Sequence, residues 1–255
     1  MSTQLLAGDR ALVTGGGQGI GKGVALALAR DGAKVLFADV NETGGRATEA
    51  EARTEGLDAT FVPADLATLE GARALWRTAL ERLGTVTVLV HTASPRRLES
   101  DTALDVADDT WDAMMNVNLR AGFELGRAAG RHMRDAAIRG RILYMTSLHA
   151  YAPRNLPHYS AAKAGTTMVM KELAKLLGPH GIRVNAIAPG AIPGGGFGGL
   201  PGLVDHIPLG RVGTPDDIAQ MTVAILSERF GRYVAGTTIA VDGGLALTNW
   251  IPAPR

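Results

Sequence analysis

Short apolar runs alternate with longer amphipathic stretches along most of the chain. The runs are rich in valine, isoleucine and leucine, and they lie at 10–14, 34–40, 59–64, 86–93, 141–147, 183–188 and 237–242. Runs of this length with few polar residues are typical of parallel strands that are buried on both faces. The stretches between them have helical apolar spacing, and they lie at 19–30, 43–55, 69–83, about 109–137, 159–177 and 215–227.

A strand followed by a helix, repeated along the chain, predicts an α/β fold. We expect a doubly wound parallel sheet of about seven strands with helices on both faces. No linker, internal repeat or charge run interrupts the pattern, so we expect a single domain over residues 1–255. The glycine-rich segment 193–199 is the one low-complexity stretch, and we expect it to be a mobile loop.

Composition restricts the possible classes of protein. Hydrophobic residues make up 46% of the 255 residues, which is enough for one large core. The net charge of +1 argues against binding to nucleic acid or to a membrane surface, because both need a concentrated basic face. The chain has no cysteine, which excludes disulfides and zinc–thiolate sites, and we predict no metal site. We find no apolar segment of signal-peptide or membrane-spanning character and expect a soluble cytoplasmic protein.

A glycine-rich turn lies between the first predicted strand and the first predicted helix, with the sequence Thr14-Gly15-Gly16-Gly17-Gln18-Gly19-Ile20-Gly21. Free backbone N–H groups and the helix dipole at such a helix start hold a pyrophosphate, and glycines let the phosphate approach the backbone. The alternative is a tight turn with a purely structural role. Its position between strand and helix predicts a dinucleotide site of the Rossmann type.

Asp39 ends the second predicted strand, 18 residues after Gly21. A carboxylate there accepts hydrogen bonds from the adenosine ribose hydroxyls. It would repel the 2′-phosphate of NADP, and Gln18 brings no positive charge into the turn to attract that phosphate. Both features favour NAD as the cofactor.

Tyr159 and Lys163 are four residues apart within a predicted helix. Side chains at this spacing lie on one helix face, so an ammonium can sit beside a phenol. A free tyrosine has a pKa near 10, and a neighbouring positive charge favours the phenolate, which suits a general acid/base. An isolated pair with this spacing is more often a tyrosine and a lysine on an exposed helix.

Taken together, these motifs resemble those of the short-chain dehydrogenase/reductase family, over residues 8 to 245. The glycine motif is matched by Thr14, Gly15, Gly19 and Gly21, and the Tyr-x-x-x-Lys motif by Tyr159 and Lys163. The family's catalytic serine corresponds to Ser147, with Thr146 as a competitor by spacing, and its catalytic asparagine to Asn118. Further matches are Asp65-Leu66, Asn185-Ala186-Ile187-Ala188-Pro189-Gly190 and Val241-Asp242-Gly243-Gly244.

The resemblance implies a role for each matched residue. Tyr159 would move the substrate's proton, Ser147 would hold the reacting oxygen, and Asn118 would keep a water next to Lys163. Lys163 would also bond the nicotinamide ribose. The implied cofactor-binding residues are Gly15, Gln18, Gly19, Ile20, Gly21, Asp39, Asp65, Leu66, Ala93, Tyr159, Lys163, Pro189, Gly190 and Ile192.

The sequence departs from the family pattern in three places. His91-Thr92-Ala93-Ser94 replaces the usual Asn-Asn-Ala-Gly, and we expect His91 to be a structural residue rather than a new catalytic group. Ser94 adds atoms where the family has a bare backbone near the adenosine. Gly194 stands where a threonine usually contacts the carboxamide, and the expected substrate lid, about residues 191–210, is unusually rich in glycine.

The residues between Ser147 and Tyr159 predict a polar substrate wall. We expect His149, Arg154 and Asn155 to contact substrate together with Ser147 and Tyr159, although half of this segment could equally face solvent. A polar wall suits a sugar or polyol better than a steroid or a long acyl chain. Arg96 and Arg97, after the fourth strand, keep a sugar acid possible.

The sequence therefore predicts an NAD-dependent oxidoreductase acting on a small polar alcohol or carbonyl compound. The alternatives are a reductase of small carbonyl or 3-oxoacyl thioester substrates, and a non-enzymatic NAD-binding sensor. The resemblance also implies a homotetramer. The helix at 159–177 and the apolar tail 246–255, with Trp250 and Ile251, would contact neighbouring subunits.

Overall fold

The sheet occupies the centre of the computed structural model, which describes residues 4–194, 199 and 202–247. Its strands are β1 (Arg10–Thr14), β2 (Lys34–Asp39), β3 (Ala59–Pro63), β4 (Val88–His91), β5 (Arg141–Met145), β6 (Arg183–Pro189) and β7 (Thr238–Val241). All of them run parallel, in the order β3-β2-β1-β4-β5-β6-β7. The predicted fold class and strand number are confirmed.

Helices connect the strands. They are α1 (Gly19–Arg30), α2 (Glu42–Thr54), α3 (Leu69–Leu83), α4 (Asp108–Met114), α5 (Ala121–Asp135), α6 (Pro157–Leu177) and α7 (Pro215–Leu226). The predicted single helix at 109–137 is wrong in one respect, because a π-helix over Met115–Arg120 separates α4 from α5. A wider turn of this kind has no hydrophobic period of its own and occurs often at functional sites.

The strands bury both of their faces, as their apolar runs predict. Along β1, Ala11 and Val13 point to one core and Leu12 to the other. The first core also contains residues of α1, α2 and α7, and the second contains residues of α3, α5 and α6. One sheet with a hydrophobic core on each face is the expected doubly wound arrangement.

Strand order reverses next to β1, whose neighbours are β2 on one side and β4 on the other. Connections leave this point in opposite directions, which opens a crevice beyond the carboxyl ends of the strands. Thr14 and His91 are paired across the two strands at this edge. Ligands of open α/β sheets bind in such a crevice.

Two predicted segments lie partly or wholly beyond the described residues. Of the expected lid, residues 195–198 and 200–201 fall outside them, as does the tail from 248 onward with Trp250 and Ile251. In the described part of the chain, no helix combines the length and apolarity that a membrane crossing requires.

Candidate active site

A cavity of about 920 Å³ fills the crevice at the carboxyl edge of the sheet. Every cofactor-binding residue predicted from the sequence lines it, and so do Ser147, His149 and Arg154. Two predicted site residues, Asn118 and Asn155, are not among its lining residues. The cavity therefore joins the glycine turn at one end to the Tyr159 and Lys163 pair at the other.

The glycine turn approaches its neighbours too closely for side chains. A Cβ on Gly15, whose φ is +72°, would lie 2.8 Å from the Cα of Ala93, and one on Gly21 would lie 1.9 Å from the Gly15 carbonyl oxygen. At Gly19, φ is +53° and a Cβ would meet nothing within 4 Å. The start of α1 has no side-chain cap at Gln18, so its first N–H groups remain available. This cradle fits the pyrophosphate of a dinucleotide.

Asp39 is fixed at the rim of the cavity by backbone amides. Gly17 N donates to its Oδ2 at 2.8 Å, and Asn41 N donates to its Oδ1 at 2.9 Å. Each carboxylate oxygen keeps a further lone pair for a ligand hydroxyl. None of the described residues lining the cavity from Gly15 to Ala67 is a lysine or an arginine.

The remaining predicted cofactor residues extend the cavity on both sides of the turn. Asp65 is held by Ala67 N, which donates to its Oδ1 at 2.8 Å, and Leu66 is buried beside it. At the other side, a Cβ on Gly190 would lie 2.7 Å from Asp242 Cα, and Ile192 is buried just beyond.

Tyr159 and Lys163 lie one turn apart in α6, both buried. The Lys163 ammonium nitrogen is 5.4 Å from the Tyr159 ring centroid and donates to the Met145 carbonyl at 2.8 Å. Burial, and secondarily the charge of Arg97, lower the pKa of Lys163 to about 7. The geometry thus places a cation beside the phenol, at the side of the cavity formed by β5.

Thr146 and Ser147 both follow β5 and line the cavity, but only Ser147 has a free hydroxyl hydrogen. Ser147 Oγ accepts from His149 N at 3.3 Å, which leaves its own O–H free to donate. Thr146 Oγ1 donates to the Ile187 carbonyl at 2.9 Å. This difference favours Ser147 over Thr146 as the group that holds a substrate oxygen.

Asn118 lies in the π-helix and is buried behind the cavity. Its Nδ2 donates to the Met114 carbonyl at 3.1 Å and to Ser94 Oγ at 3.2 Å. Ser94, one of the departures from the family pattern, therefore accepts a hydrogen bond from Asn118, and its own O–H donates to the Pro95 carbonyl at 3.3 Å.

His91 connects the end of β1 to the π-helix. The Thr14 hydroxyl accepts from the amides of Thr92 and Ala93, so its hydrogen is free to donate to His91 Nδ1 at 2.9 Å. His91 Nε2 must then carry a hydrogen, which it donates to the carbonyls of Val117 at 3.1 Å and Asn118 at 3.2 Å. Burial, followed by the charge of Lys163, lowers its pKa to about 4. A neutral histidine with both nitrogens bonded agrees with the expected structural role.

The predicted substrate residues separate into two groups. His149 packs edge-on against Tyr159, with ring centroids 5.3 Å apart, and Arg154 pairs with Glu99 at 2.8 Å. Asn155 is exposed, and its Oδ1 accepts from Ala103 N at 3.2 Å, so it holds the loop rather than the cavity wall.

Arg97 has a place in the site that the sequence alone does not assign. Its guanidinium carbon lies 4.5 Å from the centroid of the Tyr159 ring. The sequence treats Arg96 and Arg97 as equivalent, but in the structure Arg96 is exposed and Arg97 is half-buried over the phenol. A basic residue in the loop after β4 is the only sequence signal for this contact.

Known proteins resemble this chain over most of its length. A family model described as Enoyl-(Acyl carrier protein) reductase matches residues 15–246. The short-chain reductase protein NovJ of Streptomyces niveus is 36% identical, with 92% of each chain covered. L-rhamnose 1-dehydrogenase (NAD(P)(+)) of Azotobacter vinelandii is 34% identical, over 94% of this chain and 98% of the relative. The 2-dehydro-3-deoxy-D-gluconate 5-dehydrogenase of Escherichia coli is 33% identical, over 96% and 98%.

Solved structures share the whole fold. The 3-ketoacyl-(acyl-carrier-protein) reductase of Brucella melitensis, complexed with NADH, has a TM-score of 0.88 at 32% identity, covering 94% of this chain and 99% of that one. A short-chain dehydrogenase from Burkholderia cenocepacia in complex with NADP has a TM-score of 0.87 at 31% identity, with the same coverage of 94% and 99%.

Proposed function

The chain belongs to the short-chain dehydrogenase/reductase family of oxidoreductases, and on that basis we propose that it interconverts a secondary alcohol and a carbonyl compound with NAD as its cofactor. The substrate would be a sugar, a polyol or a sugar acid. The observation that carries this proposal is that Tyr159 and Lys163 line the same cavity as the glycine turn.

Tyr159 is proposed as the general acid/base. In the oxidation direction its phenolate takes the hydroxyl proton of the substrate, and in the reverse direction its phenol returns one. When bound, a nicotinamide supplies the hydride chemistry. The Lys163 ammonium stabilises the phenolate, and the free Ser147 O–H donates to the reacting oxygen as negative charge develops there.

The preference for NAD rests on Asp39. Its carboxylate is held at the rim by two amides, and no lysine or arginine accompanies it among the described lining residues of that end. An adenosine 2′-phosphate would meet this negative charge without a cation to balance it. Titration with both cofactors tests the point, since equal affinity for NAD and NADP would refute it.

The polar wall next to Tyr159 supports a hydroxylated substrate. Ser147, His149 and Arg154 all line the cavity, and burial lowers the pKa of His149 to about 4, so its ring is neutral near pH 7. An apolar chain here would leave the Ser147 O–H and His149 Nδ1 without hydrogen-bond partners. Two relatives named above are, by name, dehydrogenases of a sugar and of a sugar acid.

A second candidate is the reduction of 3-oxoacyl thioesters. It is favoured by the likeness to the 3-ketoacyl-(acyl-carrier-protein) reductase of Brucella melitensis. NADH absorbance, followed with alditols, aldonates, simple secondary alcohols and acyl thioesters, separates the two. Oxidation of hydroxylated substrates supports our proposal, and activity confined to thioesters would replace it with the second candidate.

We also propose a homotetramer. On α6, Met170 and Leu173 are buried in the core, while Met168 and Leu176 are 55% and 65% exposed. Phe123 on α5 is also exposed. An apolar outer face on these helices supports contact with another subunit.

A further inference from the structure

Arg97 reaches from the loop after β4 over the face of the Tyr159 ring. The separation of 4.5 Å between its guanidinium carbon and the ring centroid is a stacking distance. A stacked guanidinium keeps its N–H donors available at the edges of its plane. Because both side chains line the cavity, those donors lie next to the proposed reacting centre.

Apart from the Tyr159 ring, Arg97 has no hydrogen-bond or ion-pair partner among the residues that the structure describes. Its Nε is buried and makes no hydrogen bond, and it forms no ion pair with the residues described. The neighbouring Arg154 differs, since it pairs with Glu99 at 2.8 Å. A buried donor without a partner is costly, and a bound oxyanion would satisfy it.

Charge is unbalanced at this end of the cavity. The lining carboxylates, among residues described, are Asp39 and Asp65, and both lie beside the glycine turn, at the carboxyl ends of β2 and β3. Arg97 and Lys163 lie beside Tyr159. A cavity end with cations and no lining carboxylate attracts an anionic ligand.

His149 provides a second polar group beside Tyr159. Its Nδ1 is buried without a hydrogen-bond partner, and its ring packs against the Tyr159 ring at an interplanar angle of 79°, with 5.3 Å between centroids. A neutral imidazole suits a hydroxyl group, whereas the guanidinium suits an oxyanion.

We infer that Arg97 forms an oxyanion subsite beside Tyr159, and that the substrate is a hydroxylated compound carrying a terminal carboxylate or phosphate. This inference rests on the proposed function and narrows its substrate class. The anion binds the free edge of the Arg97 guanidinium, and a hydroxyl of the same molecule binds His149. Uncharged polyols then bind less tightly because they leave Arg97 without its partner.

The test compares matched substrates in variants of Arg97. Aldonates, sugar phosphates and alditols of equal carbon number are oxidised with NAD by wild type, Arg97→Met and Arg97→Lys. Arg53→Met is the control: it removes an equal charge from an exposed position near the end of α2, which leads into the start of β3 at the opposite edge of the sheet. Retained cofactor binding, measured by NADH fluorescence, shows that each variant is folded.

We expect wild type to prefer one anionic class, carboxylate or phosphate, and the preferred class identifies the source of the anion. Arg97→Met should lower kcat/KM for that class roughly 30-fold, mainly through KM, as for the loss of one charge-assisted hydrogen bond. Arg97→Lys should retain part of the preference, and Arg53→Met all of it.

Two results would overturn the subsite. The first is that wild type oxidises uncharged alditols as readily as both anionic classes. The second is that Arg97→Met lowers kcat/KM equally for charged and uncharged substrates. Either leaves the proposed alcohol oxidation intact. By contrast, activity with no alcohol at all would reject the proposed function itself.

Discussion

Three side chains surround the Tyr159 ring, and each acts on it in a different way. Lys163 lies one helical turn away, Arg97 covers the ring face and the His149 ring packs nearly perpendicular to the phenol. The Tyr159 and Lys163 pairing could be predicted because helical spacing alone fixes it. The Arg97 contact could not, because the loop after β4 has no periodic pattern and the contact depends on how α6 packs against that loop.

Lys163 should titrate near neutral pH in the protein without cofactor. Burial and the nearby Arg97 charge both disfavour its ammonium and lower its pKa to about 7. Arg97→Met removes the repulsion and should raise this pKa. Lysine Cε resonances, followed by NMR against pH and assigned with Lys163→Met, measure both values. An unchanged Lys163 titration in Arg97→Met would show that Arg97 exerts no field on the site.

At the scale of elements, the carboxyl ends of β1 and β4 and the π-helix form one unit connected by His91. Strand positions and the glycine turn could be predicted from apolar runs and motif spacing. The π-helix could not, since its sequence continues the helical pattern of its neighbours. Asn118 was matched by motif alone, and only the structure shows that its Nδ2 bonds Met114 and Ser94.

Removing the His91 ring should destabilise this unit. His91→Ala loses buried packing against Tyr144, removes the acceptor of the Thr14 hydroxyl hydrogen and removes one donor from two carbonyls of the π-helix. We expect a decrease of about 3 kcal/mol in the free energy of unfolding, measured with urea. His180→Ala, at an exposed position, is the control and should change little.

His91 also gives stability a defined dependence on pH. Its pKa is about 4 in the folded protein against 6.5 as reference, so the unfolded chain binds the proton more tightly. The contribution of neutral His91 to the free energy of unfolding is complete above pH 6.5. It declines by about 3 kcal/mol in total as the pH falls towards 4. Between pH 7 and 4, the free energy of unfolding measured with urea should therefore fall less steeply with decreasing pH in His91→Asn than in wild type. Equal slopes of unfolding free energy against pH in the two proteins would contradict the assignment of His91 as a buried, neutral residue.

The glycine turn offers a matched pair of substitutions. Gly15→Ala forces a left-handed residue and a clash with the Ala93 backbone, whereas Gly56→Ala, at φ +71° with open space around it, adds only the conformational cost of about 1 kcal/mol. We expect Gly15→Ala to weaken NADH binding roughly tenfold or more, as measured by fluorescence, because the turn must move. Equal cofactor affinity in both variants would show that the close approach to Ala93 is not needed for the site.

At the scale of the whole molecule, one cavity at the strand-order reversal joins the cofactor cradle to the proton-transfer pair. The doubly wound topology makes this arrangement, because all loops after the strands meet at one edge of the sheet. The apolar outer positions of α5 and α6 lie on helices that pack on the same sheet face.

This outer face is where the proposed assembly can be tested. Met168→Glu should convert tetramers into smaller species, measured by sedimentation, because it places a charge at a desolvated contact. Leu104→Glu, at a loop position that is 96% exposed, is the matched control and should leave the assembly unchanged. A wild-type protein that sediments as a monomer would reject the proposal.

The most direct test of the proposed chemistry is turnover by Tyr159→Phe, which removes one oxygen and keeps the ring that Arg97 and His149 contact. On a substrate confirmed with wild type, kcat should fall about 1,000-fold while NADH binding stays within a factor of about three, as expected for loss of the general acid/base alone. Turnover by Tyr159→Phe at the wild-type rate would contradict the assignment of Tyr159 and with it the proposed mechanism.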